Sequence, residues 1–311
     1  MELIITILGF GNVGKTIGAL LLPYKSFKST IHIMDTDDHV SGALLDLRQG
    51  AQLYPNHEIV FNDPQLLNAS DFIFHCAGAS VPVGESRLTT CQASIEITKA
   101  IFKDFKSTKN PFIIVVTNPV EIITFITQKI TGLPKTKVIG TGTFLDSIRM
   151  DYFTKKVWPD LDSVNTIVLG EHGNSAFLSQ QFSYVNGLPF HTMMDEHATN
   201  QLMDLVKSSA EKIKETQGAT IYGVGYCAIK IFESLLSPMG KKLAVSTFIP
   251  AELSTQIGES EIYLSLYSEI NSSGAHPLKD YLPDLKEKES LIQSTRIIKR
   301  NIPTKYLSTH L

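Results

Sequence analysis

The chain is predicted to be an α/β protein, with a doubly wound parallel sheet in its first half and a mixed α+β region in its second. Three observations predict this. Short apolar runs alternate with stretches of helical spacing through about residue 143, which is the rhythm of βαβ units. The runs are continuous rather than alternating, as in strands covered on both faces. A glycine-rich turn, GFGNVGKT at residues 9–16, directly follows the first run.

The elements follow in order. LIITIL (3–8) reads as a buried strand. In NVGKTIGALLL (12–22), Val13, Ile17, Leu20 and Leu21 fall at helical spacing. IHIM (31–34) is a strand, VSGALLDLRQG (40–50) a helix and DFIFHCAG (71–78) a strand. A helix near 89–107, a strand FIIVVTNP (112–119), a helix near 120–130 and a strand KVIGTG (137–142) complete the first half. Beyond it a long helix is expected over 144–156. TIVLGEHG, SYVNGLPF, AVSTFI and EIYLSLYSEI read as shorter strands. Helices are expected near 195–217, 219–237 and 284–300. With no flexible linker between them, the halves should pack tightly.

Composition narrows the function classes. Of 311 residues, 43% are hydrophobic and 19% charged, which suits a globular chain with a sizeable core. A net charge of −3 provides no basic field for nucleic acid or an anionic membrane. No apolar stretch is long enough to span a bilayer. The first run is preceded by Glu2, has no basic segment and reaches glycines within a few residues, so it reads as a strand and not a signal peptide. Cys76, Cys91 and Cys227 are odd in number and widely spaced. They read as buried free thiols in a reducing compartment, and a cytoplasmic setting is expected.

The opening motif has two readings. Gly9, Gly11 and Gly14 fit the dinucleotide fingerprint, whereas Gly9, Gly14, Lys15 and Thr16 fit a P-loop. Both use a helix N-terminus to hold phosphate. Asp35 lies 21 residues after Gly14, at the tip of the expected second strand. A ribose-binding acid belongs there in a Rossmann fold. Gly11, which a P-loop does not require, favours the same reading.

Four further segments decide. CAGASVPVGESRL (76–88), VVTNPV (115–120), VIGTGTFLDSIRM (138–150) and GEHGNSA (170–176) occur in the order and spacing of one family. ALLDLRQG (43–50) and AVSTFIP (244–250) add to the match. The chain resembles the L-lactate/L-malate dehydrogenase family, with its L-2-hydroxyacid dehydrogenase relatives. The resemblance implies a Rossmann NAD-binding domain (1–143) and a mixed α+β catalytic domain (144–311). It implies reversible hydride transfer between NADH and a 2-keto acid, with no metal. Lys15 and Thr16 become ordinary helix residues.

By this resemblance His172 is the acid/base, a role that suits imidazole near neutral pH. Asp146 orients it. Arg149, one helical turn from Asp146, grips the substrate carboxylate with its planar fork. Arg87 polarises the carbonyl from a closing loop, and Asn118 hydrogen-bonds the substrate beside the nicotinamide. Gly9, Gly11, Asn12, Val13 and Gly14 approach the pyrophosphate. Asp35 accepts from the adenosine ribose and repels a 2′-phosphate, which favours NAD over NADP. Ala77, Gly78 and Ala79 line the cofactor groove. The helix at 40–50 resembles a subunit contact, so a homodimer or homotetramer is expected.

The chain departs from the family pattern where lactate and malate enzymes differ. Val81 stands where they tend to carry Gln or Arg, and no cation lies between Ser80 and Ser86. A second substrate carboxylate would face this apolar loop unpaired, at a cost of about 3–5 kcal/mol if buried. Thr220, Val224 and Gly223 leave the opposite wall uncharged. A monocarboxylic 2-keto acid with an apolar side chain is therefore expected. The alternatives are a malate enzyme whose cation arrives from elsewhere in space, a non-catalytic nucleotide-binding protein and a P-loop NTPase. Ser94, Glu121 and Asn174 stand where the family commonly has Asn, Asp and Asp.

Overall fold

The computed structural model describes residues 2–37, 40–80 and 88–307. The first half contains β1 (Glu2–Leu8), α1 (Asn12–Leu21), β2 (Lys28–Met34), α2 (Ser41–Ala51), β3 (His57–Phe61) and α3 (Pro64–Asn68). It continues through β4 (Phe72–His75), α4 (Cys91–Phe102), β5 (Phe112–Val115), α5 (Val120–Thr131) and β6 (Val138–Gly140). After α6 (Phe144–Val157) come the short strands β7 (Val164–Asn165), β8 (Val168–Leu169), β9 (Phe177–Leu178), β10 (Tyr184–Val185) and β11 (Leu188–Pro189). The remainder is α7 (Phe190–Met193), α8 (Glu196–Gln217), α9 (Tyr222–Leu236), β12 (Lys241–Phe248), α10 (Ala251–Ile257), β13 (Tyr263–Asn271), β14 (Gly274–Pro277) and α11 (Leu285–Asn301).

One nine-stranded sheet carries the molecule, in the order β14-β13-β12-β6-β5-β4-β1-β2-β3. The six strands of the first half are parallel, in the order 3-2-1-4-5-6. That is the doubly wound dinucleotide-binding order, whose crevice opens where the order reverses, between β1 and β4. Both sheet faces are covered. Ile5, Ile7, Ile31 and Ile33 pack toward α1 and α9. Ile73, Ile113, Val115 and Val138 pack toward α4 and α5. In α5, Ile122, Ile123, Phe125 and Ile126 are fully buried, each worth about 1.5–3 kcal/mol of transfer free energy.

Local chemistry sets the helix ends. Asp63, Asp195 and Asp284 cap α3, α8 and α11 by accepting N–H bonds of the first turn. Gly132 and Gly218 end α5 and α8 with φ of 65° and 80°.

The second half does not form a separate sheet around its longest strands. β12 joins β6 antiparallel through Ser246 and Gly140, and β13 and β14 extend the same sheet. Besides the short helices α3, α7 and α10, which the sequence reading did not include, four stretches differ from it. β3 and β14, unforeseen, are short edge strands with polar residues such as His57, Glu58 and His276 in them. SYVNGLPF is a hairpin, not one strand, because Asn186 and Gly187 turn it at φ of 50° and 75°. TIVLGEHG keeps only Val168–Leu169 as strand before the backbone bends at Gly170, φ 100°.

Candidate active site

The glycine turn leads from β1 into the N-terminus of α1, and packing demands two of its glycines. A Cβ on Gly14 would lie 2.1 Å from the Gly9 carbonyl oxygen, and one on Gly9, at φ +84°, 2.7 Å from the Ala77 backbone. Gly11 instead faces open space. Thr16 is absorbed by the helix. Its hydroxyl donates to the Asn12 carbonyl at 2.9 Å, and its methyl packs under Gly225 of α9. A P-loop threonine would keep that hydroxyl for a metal-bound phosphate.

Asp35 directly follows β2, beside this turn. Its Oδ2 accepts the Phe10 N–H at 2.6 Å and its Oδ1 the Asp37 N–H at 3.0 Å. Gly78 is held against Thr117, where an added Cβ would come within 2.3 Å of the threonine methyl. Ser94 takes part as well: its hydroxyl accepts the Ala79 N–H at 3.2 Å.

These elements open onto a cleft of about 390 Å³. Gly11, Asn12, Val13, Gly14, Gly78, Ala79, Asn118, Arg149, His172 and Thr220 all line it. Gly9, Asp35 and Ala77 do not line it; Gly9 and Ala77 pack behind its glycine wall. Gly223, expected on the opposite wall with Thr220, packs on Leu145 instead. Val81 and Arg87 lie outside the described residues. The Asn118 side-chain oxygen is buried without a hydrogen-bond partner among the described residues. A buried acceptor in a cleft wall fits a ligand that donates to it. The glycine cradle, the Asp35 carboxylate and this acceptor together fit a dinucleotide.

At the far end of the cleft, α6 presents Asp146 and Arg149 on one face. His172 Nδ1 lies 2.6 Å from Asp146 Oδ2, and Arg149 NH1 lies 3.1 Å from Asp146 Oδ1. The three side chains are 13%, 8% and 9% exposed for His172, Asp146 and Arg149. The Arg149–Asp146 pair is therefore a buried contact at the site, not a surface ion pair. The His172 segment is fixed to α6 by the Ser147 hydroxyl, which accepts the Val168 N–H at 2.9 Å.

Two cleft features were not foreseen. Lys214, near the end of α8, also lines the wall; it lies 65 residues from Arg149 in the chain, and no motif marks it. Cys76 lines the cleft too, but burial raises its thiol well above the usual range, which suits an inert group rather than a nucleophile. All three cysteines are free. Among the described residues no group of three or more His, Cys, Asp or Glu is arranged to hold a metal ion, and no helix is long and apolar enough to cross a membrane.

A doubly wound sheet with a glycine turn at its crevice, joined to a histidine–carboxylate–arginine cluster in the same cleft, defines a nicotinamide-dependent dehydrogenase. The chain belongs to the lactate/malate dehydrogenase family. Residues 3–140 match that family's NAD binding domain and residues 143–306 its alpha/beta C-terminal domain. The L-lactate dehydrogenase of Clostridium perfringens is 32% identical over 308 residues, covering 96% of each chain. That of Acetivibrio thermocellus is 30% identical over 310 residues, again covering 96% of each. Among solved structures, the minor L-lactate dehydrogenase of Enterococcus mundtii superposes with a TM-score of 0.86 at 26% identity, covering 99% of both chains. The malate dehydrogenase of Aeropyrum pernix shares the fold, with a TM-score of 0.87 at 24% identity over 98% of this chain and all of the other. The protein is thus an NAD-dependent 2-hydroxyacid dehydrogenase.

Proposed function

We propose that it reduces a monocarboxylic 2-keto acid with an apolar side chain, and oxidises the matching L-2-hydroxy acid. His172 and Arg149 in the wall of the cleft, with the 2.6 Å bond from His172 to Asp146 behind them, carry the reading.

In this reading Arg149 binds the substrate carboxylate. A guanidinium carries five N–H donors, so its single bond to Asp146 leaves a two-pronged face for the ligand. NADH, when bound, supplies the hydride to the carbonyl carbon. Asn118 orients the reacting groups through its buried side-chain oxygen and its amide. His172 delivers the proton to the carbonyl oxygen from Nε2, because Nδ1 is engaged by Asp146. Asp146 fixes the tautomer and stabilises the imidazolium before transfer. Arg87 is assigned to the developing oxyanion and Val81 to the substrate side chain. Gly11, Asn12, Val13, Gly14, Gly78 and Ala79 hold the pyrophosphate side of NAD, with Gly9 and Ala77 packed behind them. Asp35 holds the adenosine ribose.

One observation favours a second reading. Lys214 lines the cleft and could pair with a distal carboxylate, which would make oxaloacetate a substrate. NADH oxidation across oxaloacetate, pyruvate, 2-ketoisocaproate and phenylpyruvate separates the two. Preference for an apolar monoacid is expected; preference for oxaloacetate would move the assignment to Lys214.

We further infer a cytoplasmic homodimer or homotetramer. The free thiols suit a reducing compartment. Tyr222, Tyr226 and Ile148, exposed by 63%, 61% and 43%, form an apolar surface of the kind that a second subunit covers.

A further inference from the structure

Glu121 is 2% exposed and stands outside the cleft lining. Its Oε1 accepts two hydrogen bonds. One comes from the backbone N–H of His172 at 3.2 Å, the other from the Ser265 hydroxyl at 2.7 Å. Ser265 is itself a junction. Its hydroxyl oxygen accepts the N–H of Thr143 at 3.1 Å, at the residue that begins α6. Its backbone exchanges two bonds of 3.0 Å with Gly170.

Four segments therefore converge on one carboxylate and one hydroxyl. They are the start of α5, three residues after Asn118; the start of α6, which carries Asp146 and Arg149; β13; and the loop of His172. Close packing leaves little room for another arrangement. A Cβ on Gly142 would lie 2.6 Å from the Ser265 hydroxyl and 2.5 Å from the Ser246 nitrogen.

We propose that Glu121, acting with Ser265, is a positioning residue that sets His172 in register with Asp146 and Arg149. Neither side chain touches the substrate; each acts through the backbone of the residues that do. A shift of the His172 backbone relative to α6 would lengthen the 2.6 Å bond to Asp146, and catalytic rates fall steeply with such misplacement. Burial raises the Glu121 carboxyl to about 7, against the pull of the Ser265 hydroxyl, and the neighbouring Glu171 adds to the rise. Near neutral pH the neutral acid is thus an accessible form. Since both bonds end on Oε1, a glutamine amide oxygen can accept them equally.

This inference rests on His172 being the acid/base. The test uses the full chain and compares wild type, Glu121→Ala, Glu121→Gln, Ser265→Ala and His172→Ala. The readouts are kcat, KM, NADH affinity by fluorescence and the isotope effect from NADH deuterated at the transferred hydrogen. Glu121→Ala and Ser265→Ala are expected to lower kcat at least tenfold and raise the isotope effect. KM should move less than threefold and NADH affinity less than twofold. Glu121→Gln should restore kcat to within threefold of wild type. Unchanged kcat in Glu121→Ala, or a parallel loss of NADH binding in Ala and Gln variants alike, would overturn the proposal. Persistent turnover in His172→Ala would instead overturn the acid/base assignment beneath it.

Discussion

Asp146 turns one carboxylate oxygen to each of two functional side chains, Oδ2 facing His172 Nδ1 at 2.6 Å and Oδ1 facing Arg149 NH1 at 3.1 Å. The proposed proton donor and the proposed substrate anchor are thereby tied to a single group. Asp146→Asn keeps the shape but removes the charge and offers the wrong donor pattern to Nδ1. Turnover is expected to fall by about 10²–10⁴, the span of lost acid–base catalysis, with NADH affinity nearly intact. A drop of less than threefold in stopped-flow hydride transfer would remove Asp146 from this role.

Arg149→Lys replaces a planar fork with a point charge. A charged hydrogen bond is worth about 1.5–3 kcal/mol, so KM for the keto acid should rise by roughly tenfold or more. Oxamate, a carboxylate-bearing mimic, should lose affinity by the same factor. Unchanged oxamate binding in a titration would mean that the anchor lies elsewhere.

Lys214→Ala tests who reads the distal end of the substrate. If Lys214 pairs with a distal carboxylate, as the second reading holds, kcat/KM for oxaloacetate falls at least five times further than that for pyruvate; the proposed monoacid preference expects no such gap. Equal losses for the two acids are therefore expected, and a selective loss for oxaloacetate would favour the second reading.

His75 and His32 predict acid sensitivity. Burial lowers His75 from 6.5 to about 3, and burial lowers His32 from 6.5 to about 4, with Asp63 opposing the shift at His32. Below about pH 6.5 the unfolded chain takes up protons that the folded chain refuses. Stability is therefore whole above pH 6.5 and declines as pH falls toward 3–4. Urea midpoints measured from pH 7.5 to 4.5 should decline, and His75→Gln should remove about one proton from the slope. A flat profile in the wild type would contradict both shifts.

Much of this architecture was readable from local pattern. LIITIL, IHIM and FIIVV are continuous apolar runs because both faces of their strands are covered, and Gly9, Gly11 and Gly14 mark the turn, where Gly9 lies too close to the Ala77 backbone, and Gly14 too close to the Gly9 carbonyl, for a side chain. His172 and Asp146 were found through GEHG and LDSIR, yet their contact spans 26 residues and only the fold supplies it. Contacts without a motif stayed hidden. Glu121 and Ser265 meet across 144 residues, and no periodicity links them. Lys214 looks like a solvated helix lysine until α8 is laid along the cleft. β3 escaped because HEIVF begins with two polar residues at a sheet edge, where burial no longer enforces an apolar run.

Within the sheet, Gly140 and Ser246 join the two halves at a seam, a ladder one residue pair wide. A Cβ on Gly140 would lie 2.7 Å from that of Ser246 and 2.5 Å from the Thr124 hydroxyl, so the seam is closed by the absence of a side chain. A polypeptide ending at residue 143 would therefore be more than an enzyme without its histidine. It would bare the flank of β6 and the apolar surfaces of α1 and α5 that the later helices and strands cover. Unpaired strand edges beside exposed apolar surface recruit other chains. Severed there, the cofactor-binding half should come out of solution as aggregate instead of persisting as a small independent nucleotide binder.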